Sequence, residues 1–227
     1  MKSAIVTGAM GGVGQAVVER LEKDGYRCLR IDAVGPDNED GIKLDLSNPD
    51  LEATFTDALA KFGAASVLVH CAGFYDPTDM FDISAEAEKL TLAVNVQSVM
   101  ITSRVFARRL MASHAPGAIV NVSSVSAKMG SNAVNYSASK AAIESITKSM
   151  AKRLSGTGIR VNAVSPGIVD TAMGRRIPSE LLEQRLKMIP LGRTARPDEV
   201  ASVIAFLASD EASYVNGQTL SVCGGMS

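Results

Sequence analysis

The sequence has no tryptophan, four tyrosines and six phenylalanines, and only two histidines and three cysteines in 227 residues. Cys28, Cys71 and Cys223 are odd in number, far apart and without a C-x-x-C pair, so no disulfide framework is expected. With His70 and His114 as the only histidines, no zinc cluster or other metal site can be read. Scattered thiols suit the reducing cytoplasm, which is the expected location. No sign of charge dominates either. The 23 basic and 24 acidic residues give a net charge of -1, with no Lys/Arg-rich run to attract nucleic acid or an anionic membrane. Long apolar runs are also scarce. The uncharged stretch after Lys2 contains Gly8, Gly11, Gly12 and Gly14, which reads as a loop rather than a signal sequence. No other stretch offers the ~20 predominantly apolar residues of a membrane helix. The expectation is a soluble protein with neither nucleic acid nor membrane as a partner.

What is present is a globular composition, 46% apolar and 21% charged, in which short β-branched runs alternate with longer helical patterns. Strands are expected at residues 3–7, 27–32, 41–44, 65–70, 118–123, 160–164 and 219–222. Helices are expected at 12–23, 49–61, 85–112, 135–155, 180–188 and 197–208. Three have start signals: Asn48 before Pro49, Ser84 before Glu86 and Glu88, and Arg196 before Pro197, Asp198 and Glu199. Repeated strand–helix units predict an α/β, single-domain doubly wound (Rossmann) fold over residues 1–227, with about seven parallel strands and helices on both faces. In such a sheet ligands bind beyond the carboxyl ends of the strands. The connection from Asp32 to Asp45, with Gly35, Pro36 and Gly41, is too short and too broken for a crossover helix and is expected as an irregular loop.

Thr7-Gly8-Ala9-Met10-Gly11-Gly12-Val13-Gly14 follows the first strand and opens the first helix, with the spacing T-G-x-x-x-G-x-G rather than G-x-G-x-x-G. Glycines there allow a tight turn, close approach of the backbone to a pyrophosphate, and packing of helix on strand. The free N–H groups at the helix start receive phosphate. Gly8, Met10, Gly12, Val13 and Gly14 are therefore candidate dinucleotide contacts. Asp32, 24 residues after Gly8, is placed to bond the adenosine ribose hydroxyls and to repel a 2'-phosphate. The loop after it contains Asp37, Glu39 and Asp40 and no Lys or Arg, so NAD(H) is expected over NADP(H). Arg30, on the same side of the strand as Asp32, is the one feature that softens this preference; the plainer reading makes both solvated strand-end charges.

Tyr136 and Lys140 stand four residues apart at the start of a helical pattern, on one face. A nearby cation favours the phenolate and lowers the tyrosine pKa from about 10 toward a useful range. Ser123 and Ser124 end the preceding strand at the same edge, so a hydroxyl donor to a carbonyl oxygen can stand beside the tyrosine. Only one of the two can face the site, and Ser124 is preferred.

Together these residues resemble the classical short-chain dehydrogenase/reductase family over almost the whole chain. Asp45-Leu46 is similar to the family's acidic–aliphatic pair at the adenine, and His70-Cys71-Ala72-Gly73 to its N-N-A-G turn. Asn95 falls at its helix asparagine, Ser124 at its catalytic serine, and Pro166-Gly167-Ile168 at its nicotinamide-side turn. The tail from Leu191-Gly192-Arg193 through Val215-Asn216-Gly217 to Gly224-Gly225 also matches.

The resemblance implies that Tyr136 exchanges a proton with the substrate oxygen and that Ser124 orients that oxygen. It implies that Lys140 lowers the tyrosine pKa and holds the nicotinamide ribose, and that Asn95 keeps a proton-relay water. Ala72 and Gly73 would let the cofactor approach, although His70 and Cys71 depart from the pattern and Cys223 replaces an acid. These cysteines read as buried small hydrophobes, and His70 as hydrogen-bonded within the fold. The missing crossover helix before Asp45 implies a more open adenine pocket.

Substrate choice falls to residues 74–80, 128–135 and 171–190, where Phe74, Met129, Met173 and Met188 are candidates for an apolar lining or ordinary packing. Arg175 and Arg176 either meet an anionic group or form a solvated helix face. The leading expectation is an NAD(H)-dependent oxidoreductase acting on a small secondary alcohol or ketone. The alternatives are a 3-oxoacyl-(acyl-carrier-protein) reductase using NADPH and, from another class, a non-catalytic dinucleotide sensor or scaffold. The family further suggests a homotetramer or homodimer built through helices 85–112 and 135–155 and the chain's end.

Overall fold

A computed structural model describes residues 2–35, 37–177 and 179–227, so Pro36 of the expected loop lies outside the described residues. In chain order the elements are β1 (Lys2–Thr7), α1 (Gly12–Lys23), β2 (Tyr26–Asp32), β3 (Gly41–Lys43), α2 (Leu51–Phe62) and β4 (Val67–His70). Then come α3 (Ala85–Leu92), a π-helical turn (Ala93–Gln97), α4 (Ser98–Ala112), β5 (Gly117–Val122), α5 (Ser126–Met129) and α6 (Val134–Arg153). The chain closes with β6 (Ile159–Pro166), α7 (Ser179–Leu186), α8 (Pro197–Ala208) and β7 (Thr219–Val222). All seven strands join one sheet in the order β3-β2-β1-β4-β5-β6-β7, and every neighbouring pair is parallel. The strand order reverses between β1 and β4, and a crevice opens there beyond their carboxyl ends.

Residues alternate between two cores because side chains on a strand point to opposite faces. On one face Ala4, Val6 and Cys28 pack with Val17, Val18 and Leu21 of α1 and Val200 and Ile204 of α8. On the other Ile5, Leu29 and Ile31 pack with Leu51, Phe55 and Leu59 of α2 and Phe106 and Leu110 of α4. Helices on both faces explain why β4 is buried along its whole length and reads as a continuous apolar run.

Several expected boundaries shift for physical reasons. Asn48 does not cap α2; its side chain accepts from the Asp50 N–H at 2.9 Å in a turn, and the helix starts at Leu51. Ser84 does cap α3, accepting from the Ala87 N–H at 3.1 Å, and Glu199 accepts from the Arg196 N–H at 2.7 Å in front of α8. The 33–40 connection contains no helix among the described residues and folds back through the Asn38 N–H bonding the Gly41 carbonyl at 2.7 Å.

The helix expected over 85–112 needs two corrections. It is interrupted by the π turn, and it does contain an 18-residue window of mean hydropathy 1.3, long and apolar enough to cross a membrane by composition. Half of that window is buried, and α4 packs against α2, β4 and β5, so its apolar residues serve as core here.

Candidate active site

The glycine loop is shaped first by the protein itself. Gly8 has φ +66°, and a Cβ there would lie 2.4 Å from the Ala72 nitrogen, because the main chain leaving β1 crosses the main chain leaving β4. A Cβ on Gly14 would lie 2.0 Å from the Gly8 carbonyl oxygen, so only a glycine lets α1 start this close to the strand. Gly12, by contrast, faces the side chain of Thr171 across the crevice, where a Cβ would meet Cγ2 at 2.7 Å. Helix α1 starts at Gly11 with no side-chain cap and no acid in its first turn, while Gly12, Val13 and Gly14 line the crevice. Uncapped N–H groups and the positive end of the helix dipole fit a phosphate-bearing ligand.

Asp32 stands where β2 ends, its carboxylate accepting from the Met10 N–H at 2.9 Å and the Val34 N–H at 3.3 Å. It is thereby held against the glycine loop. Arg30 is engaged by Glu22, and Arg27 by Glu39 and Asp40 at 2.7 Å each, so both cations of this strand are already paired. Asp45 is exposed and accepts from the N–H and hydroxyl of Ser47 at 2.8 and 2.7 Å, while the neighbouring Leu46 belongs to the core.

A cavity of about 400 Å³ opens at the carboxyl ends of β1, β4, β5 and β6. It brings together Gly12, Val13, Gly14, Gly73, Ser124, Tyr136, Lys140, Pro166, Gly167 and Ile168. Gly8, Met10, Asp32, Asp45, Leu46, Ala72 and Asn95 lie outside its wall. The β-side residues hold the loop and the strand ends, and Asn95 supports the wall from behind. It sits in the π turn, 1% exposed. Its Oδ1 accepts from the Phe74 N–H at 2.7 Å, and its Nδ2 donates to the Phe74 carbonyl and to Ser139 Oγ, both at 2.9 Å. The side chain expected to hold a relay water is therefore committed to clamping the segment after β4. π turns are rare insertions in α-helices and recur at functional sites, which is why the long helical pattern did not reveal this one.

Ser123 and Ser124 separate as alternation requires. Ser123 is buried, donating to the Lys140 carbonyl at 3.0 Å, with Glu144 at 3.3 Å. Ser124 faces the cavity and hydrogen-bonds Tyr136. The Tyr136 ring packs edge-on against Tyr75, centroids 5.0 Å apart at 77°. The Lys140 ammonium, 4% exposed, donates to the Val122 carbonyl at 2.9 Å and lies 5.6 Å from the Tyr136 ring centroid.

Burial pushes the Tyr136 phenol up to about 12, against the lowering effect of the Ser124 bond and with a further raising effect from Tyr75. Burial brings Lys140 down to about 8. The expectation that Lys140 draws the phenol toward neutrality is corrected by this geometry. Loss of water outweighs the cation, because the ammonium is turned to a backbone carbonyl.

His70 is fully packed, its Nδ1 2.9 Å from Asn121 Oδ1 and its Nε2 2.7 Å from Thr102 Oγ1. Burial lowers it to about 4, so it is a neutral structural histidine. Cys28 and Cys71 are pushed up to about 12, chiefly by burial, which removes thiolate character. Cys223 is 9% exposed. Among the described residues no group of His, Cys, Asp and Glu is arranged to hold a metal ion.

On the substrate side Met129, Met173 and Met188 do line the cavity, but Phe74 does not. Arg175 is bonded to Asp170 at 2.7 Å and Arg176 to the Tyr75 carbonyl at 3.1 Å. Neither lines the wall; Arg185 does, with Tyr75, Thr171 and Met226. These four carry no local signature in the sequence, since each reaches the cavity only through a loop path.

A family model described as Enoyl-(Acyl carrier protein) reductase matches residues 8–227. The 3-oxoacyl-(acyl-carrier-protein) reductase of Vibrio cholerae is 35% identical over 99% of this chain and 97% of its own. Cis-4-hydroxycyclohexanecarboxylate dehydrogenase of Sinomonas cyclohexanicum is 37% identical over 98% and 95%. Among solved structures, a 4-hydroxyisoleucine dehydrogenase complexed with NADH superposes with TM-score 0.93 and 27% identity, covering 100% of this chain and 99% of that one. A protein described as a 2-deoxy-d-gluconate 3-dehydrogenase from Agrobacterium Tumefaciens, with bound NADP, has TM-score 0.90 and 29% identity over 99% and 96%. With similarity running the length of both chains and the same seven-stranded parallel sheet, the chain belongs to the short-chain dehydrogenase/reductase family, as an oxidoreductase of CH–OH or C=O groups in small molecules that uses a dinucleotide cofactor.

Proposed function

We propose that the protein is an NAD(H)-dependent oxidoreductase interconverting a secondary alcohol and a ketone, with Tyr136 as the proton-exchanging residue. The observation that carries this is the meeting of Ser124 and Tyr136 at one cavity wall, with Lys140 behind and the uncapped start of α1 opposite. Gly12, Val13 and Gly14 would hold the dinucleotide phosphates, Asp32 the adenosine ribose, and Lys140 with Pro166, Gly167 and Ile168 the nicotinamide end. When bound, the cofactor supplies the two-electron chemistry. The chain's own residues supply position and a proton. Ser124 donates a hydrogen bond to the substrate oxygen and aligns it with the Tyr136 hydroxyl. A phenol with a pKa near 12 keeps its proton through neutral pH, which suits donation to a carbonyl oxygen and hence reduction. Asn95 fixes the Phe74 main chain and Ser139, which bonds the Tyr136 carbonyl at 2.7 Å, so it positions the tyrosine.

Preference for NAD(H) rests on Asp32 and on the pairing of Arg27 and Arg30 with acids, which leaves a 2'-phosphate facing negative charge. A 3-oxoacyl thioester is the second reading, favoured by the similarity to the Vibrio reductase. We further propose a cytoplasmic homotetramer or homodimer assembled through α3, α4 and α6, where Leu92, Met100 and Val134 are exposed apolar residues; a monomer mass by light scattering at micromolar concentration would remove that part. The central test is oxidation of NADH and NADPH over ketones and 3-oxoacyl esters, with Tyr136→Phe beside the parent. Turnover lost by about 10³-fold with NADH binding retained supports the reading. Unchanged turnover in the variant sinks it.

A further inference from the structure

We propose that Arg185 selects the substrate by pairing with a carboxylate carried on an apolar body, so that the alcohol or ketone is a hydroxy or oxo acid; this deepens, and rests on, the oxidoreductase reading. Among the described residues only two charged side chains line the cavity, Lys140 and Arg185, and no Asp or Glu does. Lys140 is buried under the tyrosine and donates to the Val122 carbonyl. Arg175 and Arg176, the other cations of this region, are occupied by Asp170 and the Tyr75 carbonyl. Arg185 of α7, half-buried, meets no carboxylate or carbonyl among the described residues.

A guanidinium stays charged at every pH the fold experiences, and its planar fork matches the two oxygens of a carboxylate. Against a wall with no acid, its field favours an anion over a neutral group of the same shape. One guanidinium balances one negative charge, which points to a carboxylate rather than a dianionic phosphate. The remaining wall on this side, Met129, Met173, Ile177, Met188 and Met226, is apolar and adaptable, suited to an aliphatic or alicyclic body.

The test is calorimetric titration with cyclohexanecarboxylate and with cyclohexanecarboxamide, a neutral probe of nearly equal size, on the parent, Arg185→Gln and Arg185→Lys, each with and without saturating NADH. The parent is expected to bind the carboxylate about 10- to 100-fold more tightly than the carboxamide. Arg185→Gln should bring the two probes level while leaving NADH binding and carboxamide affinity unchanged, and Arg185→Lys should restore part of the preference. Equal affinities in the parent, a preference that survives in Arg185→Gln, or failure of both probes to bind would each overturn the proposal. Binding reads Arg185 without turnover, so carboxylate selectivity in a protein that turns over no ketone would count against the oxidoreductase reading alone.

Discussion

At the β2 side of the crevice the surface is main chain: Gly8 crosses Ala72, Gly14 rests on the Gly8 carbonyl, and Asp32 is tied to the Met10 N–H. At the β4–β6 side the surface is side chain, with Tyr75, Met129, Tyr136, Met173 and Arg185 arriving from separate segments. The first end tolerates almost no change of shape, because a backbone contact has no rotamer to adjust. The second can change its ligand by exchanging one side chain, with the sheet unaffected. A family built this way keeps one cofactor chemistry and varies its substrates.

The sharpest way to break the contrast is Gly14→Val. With its Cβ forced toward the Gly8 carbonyl, the variant should lose about 3 kcal/mol of stability by urea unfolding and lose NADH binding with it. An equally stable variant would show that the loop is looser than its contacts imply. At the other end, Ser124→Ala should lower turnover by about 10²- to 10³-fold at unchanged stability. Ser123→Ala should instead cost about 1 kcal/mol of stability and keep turnover within about tenfold, since its hydroxyl serves the Lys140 carbonyl. Reversed effects would exchange the two serines.

The buried His70 separates the two ends and gives the fold a pH dependence. Its folded pKa of about 4 lies below the ordinary 6.5, so as pH falls below 6.5 the unfolded chain takes up a proton that the folded one refuses. Stability is full above that value, and about 3 kcal/mol should be lost between pH 7 and pH 4. His70→Gln, compared by unfolding at both pH values, should flatten that part of the profile. The smallest effect belongs to Asp32→Ala, which should raise the ratio of NADPH to NADH affinity by about tenfold, measured at one salt concentration. A parent that already prefers NADPH would overturn the role given to Asp32.

Much of the first end was readable in order along the chain. The glycine spacing, the acid closing β2 and the missing helix after it are local features, and the structure places all three at the β1–β2 edge. The second end was readable only where a motif is itself local, as in Tyr136 and Lys140 on one helix face. The choice of Ser124 came from strand alternation, but the Ser124–Tyr136 hydrogen bond joins two elements. The π turn at Asn95 left no trace in the helical pattern, because a single inserted residue hardly alters apolar periodicity. Arg175 and Arg176 drew attention as a pair of adjacent cations, whereas Arg185 looked like any helix-surface charge.

By itself the sequence determined the alternation of strands and helices, the parallel sheet and the phosphate-receiving turn, because backbone conformation and apolar periodicity act over a few residues. The tertiary structure alone decided that burial outweighs Lys140 in setting the Tyr136 proton, that Asn95 clamps Phe74, and that Arg185 rather than its neighbours reaches the cavity. Those outcomes depend on desolvation and on which distant side chains converge. Both are properties of the packed volume rather than of spacing along the chain.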